Sequence, residues 1–194
     1  MEKFYLEKPS LKRKNDAIEY INEHIEYSSN INGAGQLDSY LKEKTYEDWL
    51  LYLDKMKEGI NDWVPSSTYF LIRKNDDKII GMINIRHKLN DTLLIHGGHI
   101  GYGIRPKERM KGYNKINLYL GLIKCKNLGI KKALLMAYDN NLASIKTILA
   151  FNGVLENKIK ENDSDILFGR YWIDVEQEVE DKKKEYQDKI IIKD

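Results

Sequence analysis

Ile104-Arg105-Pro106-Lys107-Glu108-Arg109-Met110-Lys111-Gly112-Tyr113-Asn114 joins two different sequence grammars. Before it, Ile100, Tyr102 and Ile104 alternate with Gly101 and Gly103, the period of a strand spanning His96 to Arg105. After it, Ile116, Tyr119, Leu120 and Ile123 recur at i, i+3, i+4 and i+7. That is an amphipathic helix opening near Gly112 and capped at Gly129. A strand entering a helix through a short basic loop makes an anion site. The first helical N–H groups lack partners, and the helix dipole adds positive potential. Gly112 lets backbone approach a phosphate closely, while Arg109 and Lys111 supply charge. On spacing alone, the stretch reads equally well as a basic surface turn.

Upstream, Glu2 to Leu6 reads as a short strand, and residues 12–28 as a helix with Ile18, Ile21 and Ile25 on one side. Thr45 and Asp48 form a capping-box-like start to a second helix, with Tyr46, Trp49, Leu50 and Leu53 inward. Thr68 to Arg73 and Ile79 to Arg86, around Asn75-Asp76-Asp77, form a hairpin. Downstream, Lys132 to Tyr138 is a buried strand. Asn140 or Asn141 caps a short helix with Leu142, Ile145, Ile148 and Leu149 inward. Val154 to Ile159 and Ile166 to Ile173 close the sheet as an antiparallel pair. The order β-α-α-β-β-β-α-β-α-β-β implies an α/β (α+β) domain over residues 1–173, a mixed sheet with helices on both faces. Residues 174–194 are a charged C-terminal extension ending in Ile190-Ile191-Ile192. It reads as a helix and edge strand, an oligomer contact or a disordered tail.

The bulk composition restricts partners. Lys and Arg total 32 against 30 Asp and Glu, a net charge of +2 that gives no sign of a nucleic-acid or membrane partner. The single Cys125 excludes an internal disulfide and fits a reducing, cytoplasmic setting. The segment MEKFYLEKPS has no signal-peptide core, and no apolar run approaches the roughly 18 residues of a membrane span. The four histidines show no zinc spacing, so no metal site is expected.

Arg109-Met110-Lys111-Gly112-Tyr113-Asn114 resembles the acyl-CoA motif R/Q-x-x-G-x-G/A of the GNAT acetyltransferases, with Asn114 in place of the final Gly or Ala. Asn141-x-x-Ser144 followed by Gly153-Val154 is similar to that family's N-x-x-A…G-F signature, with one extra residue between. Stretches such as GMINIRH, GGHIGYGIRP and NGVLEN look like a bacterial subgroup of unassigned substrate. The resemblance implies a mostly antiparallel, twisted sheet whose central strands splay around pantetheine. It also implies acetyl-CoA as co-substrate and an unknown amine acceptor, and it is compatible with a homodimer.

By resemblance, main-chain groups of Tyr102, Gly103 and Ile104 meet pantetheine and the thioester oxygen. The N–H groups of Arg109, Met110, Lys111, Gly112, Tyr113 and Asn114 hold the pyrophosphate. Gly101 and Gly103 suit a bulged, closely approached strand, or simply relieve packing. Asn141, with Ser144 one turn on, contacts the pantetheine end, caps its helix, or does both.

Attack of an amine on a thioester needs a neutral amine, an oxyanion donor and a fate for the thiolate. An amine of pKa about 10 is only about 0.1% neutral at pH 7. His99 sits where some family members carry a Glu, and is either the base or a satisfied structural histidine. Glu156 is a further candidate acid. The family's acid tyrosine falls on Ile148 or Leu149 here, leaving Tyr138 or water. Arg86, His87 and His96 lie nearby in sequence as acceptor-pocket candidates, and Tyr27, Tyr40 and Trp63 as its walls. Two other readings stay open: a catalytically silent CoA-binding module, and an acetyltransferase acting on aminoacyl-tRNA.

Overall fold

The computed structural model describes residues 2–160 and 165–193; Met1, residues 161–164 and Asp194, the last residue of the expected extension, lie outside the described residues. Two antiparallel sheets carry the fold. In the first, β1 (Phe4–Glu7), β2 (Ser66–Arg73), β3 (Lys78–Arg86) and β4 (Ile100–Ile104) lie in that order. In the second, β7 (Leu167–Asp174) lies between β5 (Lys132–Tyr138) and β6 (Val154–Lys160). The sheet expected as one body is therefore divided between β4 and β5.

Three helices, α1 (Lys14–Glu26), α2 (Leu37–Glu43) and α3 (Tyr46–Lys55), cover one face of the first sheet. Their core joins Ala17, Tyr20, Ile21, Leu37, Tyr46 and Trp49 to Phe70, Ile72, Ile79 and Met82. Trp49 is fully buried and donates its indole N–H to Gly35 O at 2.7 Å, which ties the loop after α1 to α3. Thr45 and Asp48 form the reciprocal capping box that starts α3. On α1 the inward stripe is Ala17, Tyr20, Ile21 and His24, and Ile25 is 66% exposed. The apolar count placed Ile25 inward, but the buried polar residues Glu23 and His24 take the inner edge instead.

After β3, a short α4 (Asp91–Ile95) precedes β4; like α2, it was not evident from the residue pattern. The opposite face is covered by α5 (Tyr113–Asn127), whose Ile116, Leu118, Tyr119, Leu120 and Leu122 pack on Ile83, Ile85, Ile100 and Ile104. On α6 (Leu142–Leu149) Ile148 is buried, whereas Leu142 and Leu149, expected inward, are exposed because only one edge of this short helix meets the core. The C-terminal segment forms α7 (Val175–Asp181) and α8 (Lys183–Tyr186). Val175, Val179 and Tyr186 join the same core, and Ile191 N–H donates to Phe4 O at 2.8 Å. No helix of the described residues is long and apolar enough to cross a membrane.

Candidate active site

Main-chain hydrogen bonding joins the two sheets at His99 and Leu134, beyond which they part. His99 N–H donates to Leu134 O at 2.7 Å, and Leu134 N–H donates back to His99 Nδ1 at 3.0 Å. A single residue thus closes both halves of the junction, with its main chain and with its ring. Beyond it β4 and β5 belong to separate sheets, leaving a wedge between them.

The register shows which groups of β4 face this wedge. Arg86 N–H bonds His99 O, and Arg105 N–H bonds Ile80 O. With Asn84 opposite Gly101 and Met82 opposite Gly103, the odd-numbered residues turn their peptide groups toward β3. The N–H groups of Tyr102 and Ile104 therefore face the wedge. Gly103 does not fit its expected role, since its peptide groups belong to the β3 pairing. The β3–β4 register runs unbroken from Gly81/Ile104 to Ile85/Ile100, so the expected bulge is absent. The glycines serve a different approach. A Cβ on Gly103 would stand 2.9 Å from Asn32 O, and one on Gly33 would stand 2.7 Å from Gly101 O. The loop after α1 lies directly on the strand.

At the end of β4, Arg105 is fully buried and anchors α1. Its Nε donates to Glu23 at 3.0 Å, Nη2 to Glu19 at 2.9 Å and Nη1 to Ile79 O at 3.1 Å. Glu23 also accepts the Lys107 N–H at 2.8 Å, which fixes where the basic loop begins. This network was missed in the sequence; its one signal is an arginine closing an apolar strand ahead of a proline.

The loop itself is a short 3-10 turn, Pro106–Glu108, followed by Met110 at φ 64° and Gly112 at φ 81° just before α5. Gly112 is needed there because a left-handed conformation is costly for other residues. Among the described residues, no acceptor is bonded to the N–H groups of Met110, Lys111, Gly112, Tyr113 or Asn114. Five free donors at a helix start suit an anion. The side chains contribute less charge than expected. Arg109 folds back, donating to Ile104 O at 3.1 Å and Ser29 Oγ at 2.6 Å, and Lys111 pairs with Glu108 at 2.8 Å. Among the described residues, Asn114 Oδ1 is buried without a partner.

Other candidates disperse. Tyr102 sends its hydroxyl to Ser144 Oγ on α6 at 2.9 Å, and burial pushes its pKa up to about 12 against the pull of that hydrogen bond. Asn141 accepts the Ser144 N–H at 3.1 Å as a helix cap. Tyr138 ends β5, partly exposed and edge-on to Phe168. Glu156 does not reach the wedge: it lies on the edge strand β6, with β7 between it and β5, and pairs with Arg170 at 2.8 Å. His99 is a poor proton acceptor as well. Its Nδ1 is occupied by the Leu134 N–H, and burial with the nearby Arg86 charge lowers its pKa to about 4. Cys125 is buried, with its thiol pushed up to about 12. No cluster of three or more His, Cys, Asp or Glu among the described residues could hold a metal.

A protein-family model described as the acetyltransferase (GNAT) family matches residues 35–151, from the loop before α2 through α6. The chain belongs to the acetyltransferase (GNAT) family. As a GNAT chain it shares its fold with many solved structures. A spermidine N-acetyltransferase SpeG chimera from Vibrio cholerae and hSSAT is 14% identical with TM-score 0.62, covering 91% of this chain and 98% of that one. The microcin C7 self immunity acetyltransferase MccE, solved with acetyl-CoA and AMP, is 18% identical with TM-score 0.61, covering 89% and 92%. An N-acetyltransferase from Staphylococcus aureus Mu50 is 14% identical with TM-score 0.61, covering 89% and 98%. At such identities the likeness concerns the fold. Comparison with curated proteins found no match.

Proposed function

We propose that this GNAT chain transfers the acetyl group of acetyl-CoA to a primary amine by direct attack on the thioester. The observation that carries the reading is two sets of main-chain donors unpaired among the described residues: Tyr102 and Ile104 on the wedge side of β4, and Met110 to Asn114 at the start of α5. A pantetheine chain needs hydrogen bonds along an open strand edge, and a pyrophosphate needs convergent N–H groups. The open edge of β4 supports the first, and the unpaired N–H groups ahead of α5 support the second.

In this reading Met110 to Asn114 hold the pyrophosphate, and Tyr102 N–H engages pantetheine. Ile104 N–H stabilises the oxyanion, worth about 3–4 kcal/mol by comparison with other oxyanion holes. The Tyr102 hydroxyl stays protonated throughout the working range and donates a hydrogen bond toward the leaving sulfur. A thiolate of pKa about 8–9 then takes its proton from solvent. His99 holds the junction and abstracts no proton, so the amine enters as its free base.

The test is thiol release from acetyl-CoA over a panel of amines, with Tyr102→Phe beside the native chain. Turnover of at least one amine supports the reading. Tight CoA binding with no release from any amine would instead identify a silent CoA-binding module.

A further inference from the structure

Among the described residues, Arg86 is the one arginine withdrawn from solvent whose charge meets no carboxylate. Arg13 pairs with Glu7 and Asp77, Arg73 with Asp76 and Glu108, Arg105 with Glu19 and Glu23, and Arg170 with Glu156. Arg86 instead uses a single nitrogen, Nη1, to donate to Gly97 O at 3.1 Å and Gly98 O at 2.9 Å. Among the described residues its Nε and Nη2 have no partner, and neither is sealed from solvent. Burial pulls its pKa down with only Tyr52 opposing, so the site withdraws a cation without neutralising it. A guanidinium does not escape this by losing its proton. Desolvating an unpaired charge is costly unless a counter-charge arrives.

The neighbours are donors too. His99 lies opposite Arg86 across the β3–β4 pairing, and Arg86 N–H bonds its carbonyl at 2.8 Å. Because His99 Nδ1 accepts from Leu134, the neutral ring must carry its proton on Nε2, which then donates. The Tyr52 hydroxyl on α3 is close enough to feel the Arg86 charge, and it too lacks a partner among the described residues without being sealed. Guanidinium, imidazole N–H and phenol O–H form a donor-rich set with no carboxylate partner among the described residues. It stands at the closed end of the wedge, on the face covered by α1–α3.

We infer that Arg86, with His99 and Tyr52, binds an anionic group, a carboxylate or a phosphate, carried by the amine acceptor. The acceptor class is thus an amine bearing an anion on the same molecule, as an amino acid or an amino-alkyl phosphate does, rather than a polyamine. The inference rests on the acetyl-transfer reading. It assigns Arg86 to substrate binding, with no part in holding CoA.

The experiment uses probe pairs that differ in the anion, with each rate referred to the free-base amine: L-lysine and cadaverine, L-alanine and L-alaninamide, phosphoethanolamine and ethanolamine. Thiol release gives kcat/KM for each, and calorimetry in the presence of CoA gives binding of the corresponding N-acetyl products. Carboxylate and phosphate pairs distinguish the two sources of charge. The expected result is that the anionic member is favoured by about tenfold or more in at least one pair, the range of a charge-assisted hydrogen bond. Arg86→Gln erases the preference while CoA binding stays as in the native chain, and Arg86→Lys restores part of it. Three results overturn the inference: equal or better use of the neutral members, a preference that survives Arg86→Gln, or binding of neither member while CoA binds normally. Loss of CoA binding by the native chain would sink the acetyl-transfer reading itself, and is separately visible.

Discussion

Leu134 N–H donates to His99 Nδ1 at 3.0 Å, and this contact marks where β4 and β5 stop being neighbours. A longer ladder would close the gap that the acyl donor is proposed to enter. No clasp at all would leave the two sheets joined only through helices and loops. His99 is therefore proposed as the hinge-pin of the wedge, whose removal strands a buried amide.

His99→Ala is expected to cost about 1–3 kcal/mol of stability, the penalty of an unsatisfied buried N–H. Chemical denaturation of both proteins at neutral pH measures it. A difference near zero would mean that the junction is held by other contacts.

The lowered pKa of His99, about 4 against an ordinary 6.5, has a definite sign. The unfolded chain takes up a proton between these values and the folded chain does not. The His99 contribution is thus complete above pH 6.5 and is lost as pH falls toward 4, on the order of 3 kcal/mol in all. NMR titration of the ring should show no midpoint near neutrality. In the same account kcat/KM rises about tenfold per pH unit until the acceptor amine titrates, with no break at 6.5. A break there that disappears in His99→Gln would restore histidine as the base.

Gly112→Asp places a side chain at φ 81° and a negative charge among the free donors of α5. The left-handed strain costs about 1–2 kcal/mol, and CoA affinity is expected to fall at least about tenfold. A Cβ there meets nothing within 4 Å, so Gly112→Asn, neutral and tolerant of positive φ, should retain most of the affinity. Equal affinities across the three proteins would move the phosphate site elsewhere.

Much of this architecture is legible locally. The hairpin, the capping box at Thr45, the stripe on α5 and the loop ahead of it all rest on residues within a turn or two of one another. What escapes is carried by pairings across the chain: His99 with Leu134 over 35 positions, Arg105 with Glu23 over 82. Gly101 and Gly103 mark a close approach correctly as a residue pattern, but nothing in that pattern says the visitor is the chain's own Asn32-Gly33 loop. Arg109 and Lys111 illustrate the same limit, since composition counts their charge while tertiary contacts spend it on Ile104 O and Glu108.

Arg105→Ala should be the costliest single change considered, about 3–5 kcal/mol, because it leaves Glu23 buried beside the start of the basic loop. The solvent-exposed pair Lys14–Glu47 gives the contrast, with Lys14→Ala expected within about 1 kcal/mol. Comparable losses for both would contradict the anchoring role assigned to Arg105.

Binding of the acyl donor is tested by the heat stability of the purified chain with acetyl-CoA, with free CoA and with ATP as a phosphate-bearing control. Binding to the folded state alone stabilises by about 2.7 kcal/mol at a hundredfold excess over Kd. A wedge that seats the acyl donor gives a clear upward shift in Tm with both CoA species and none with ATP. Equal shifts with all three would reduce the loop to a general phosphate site, and no shift with either CoA species would contradict the wedge as the seat of the acyl donor.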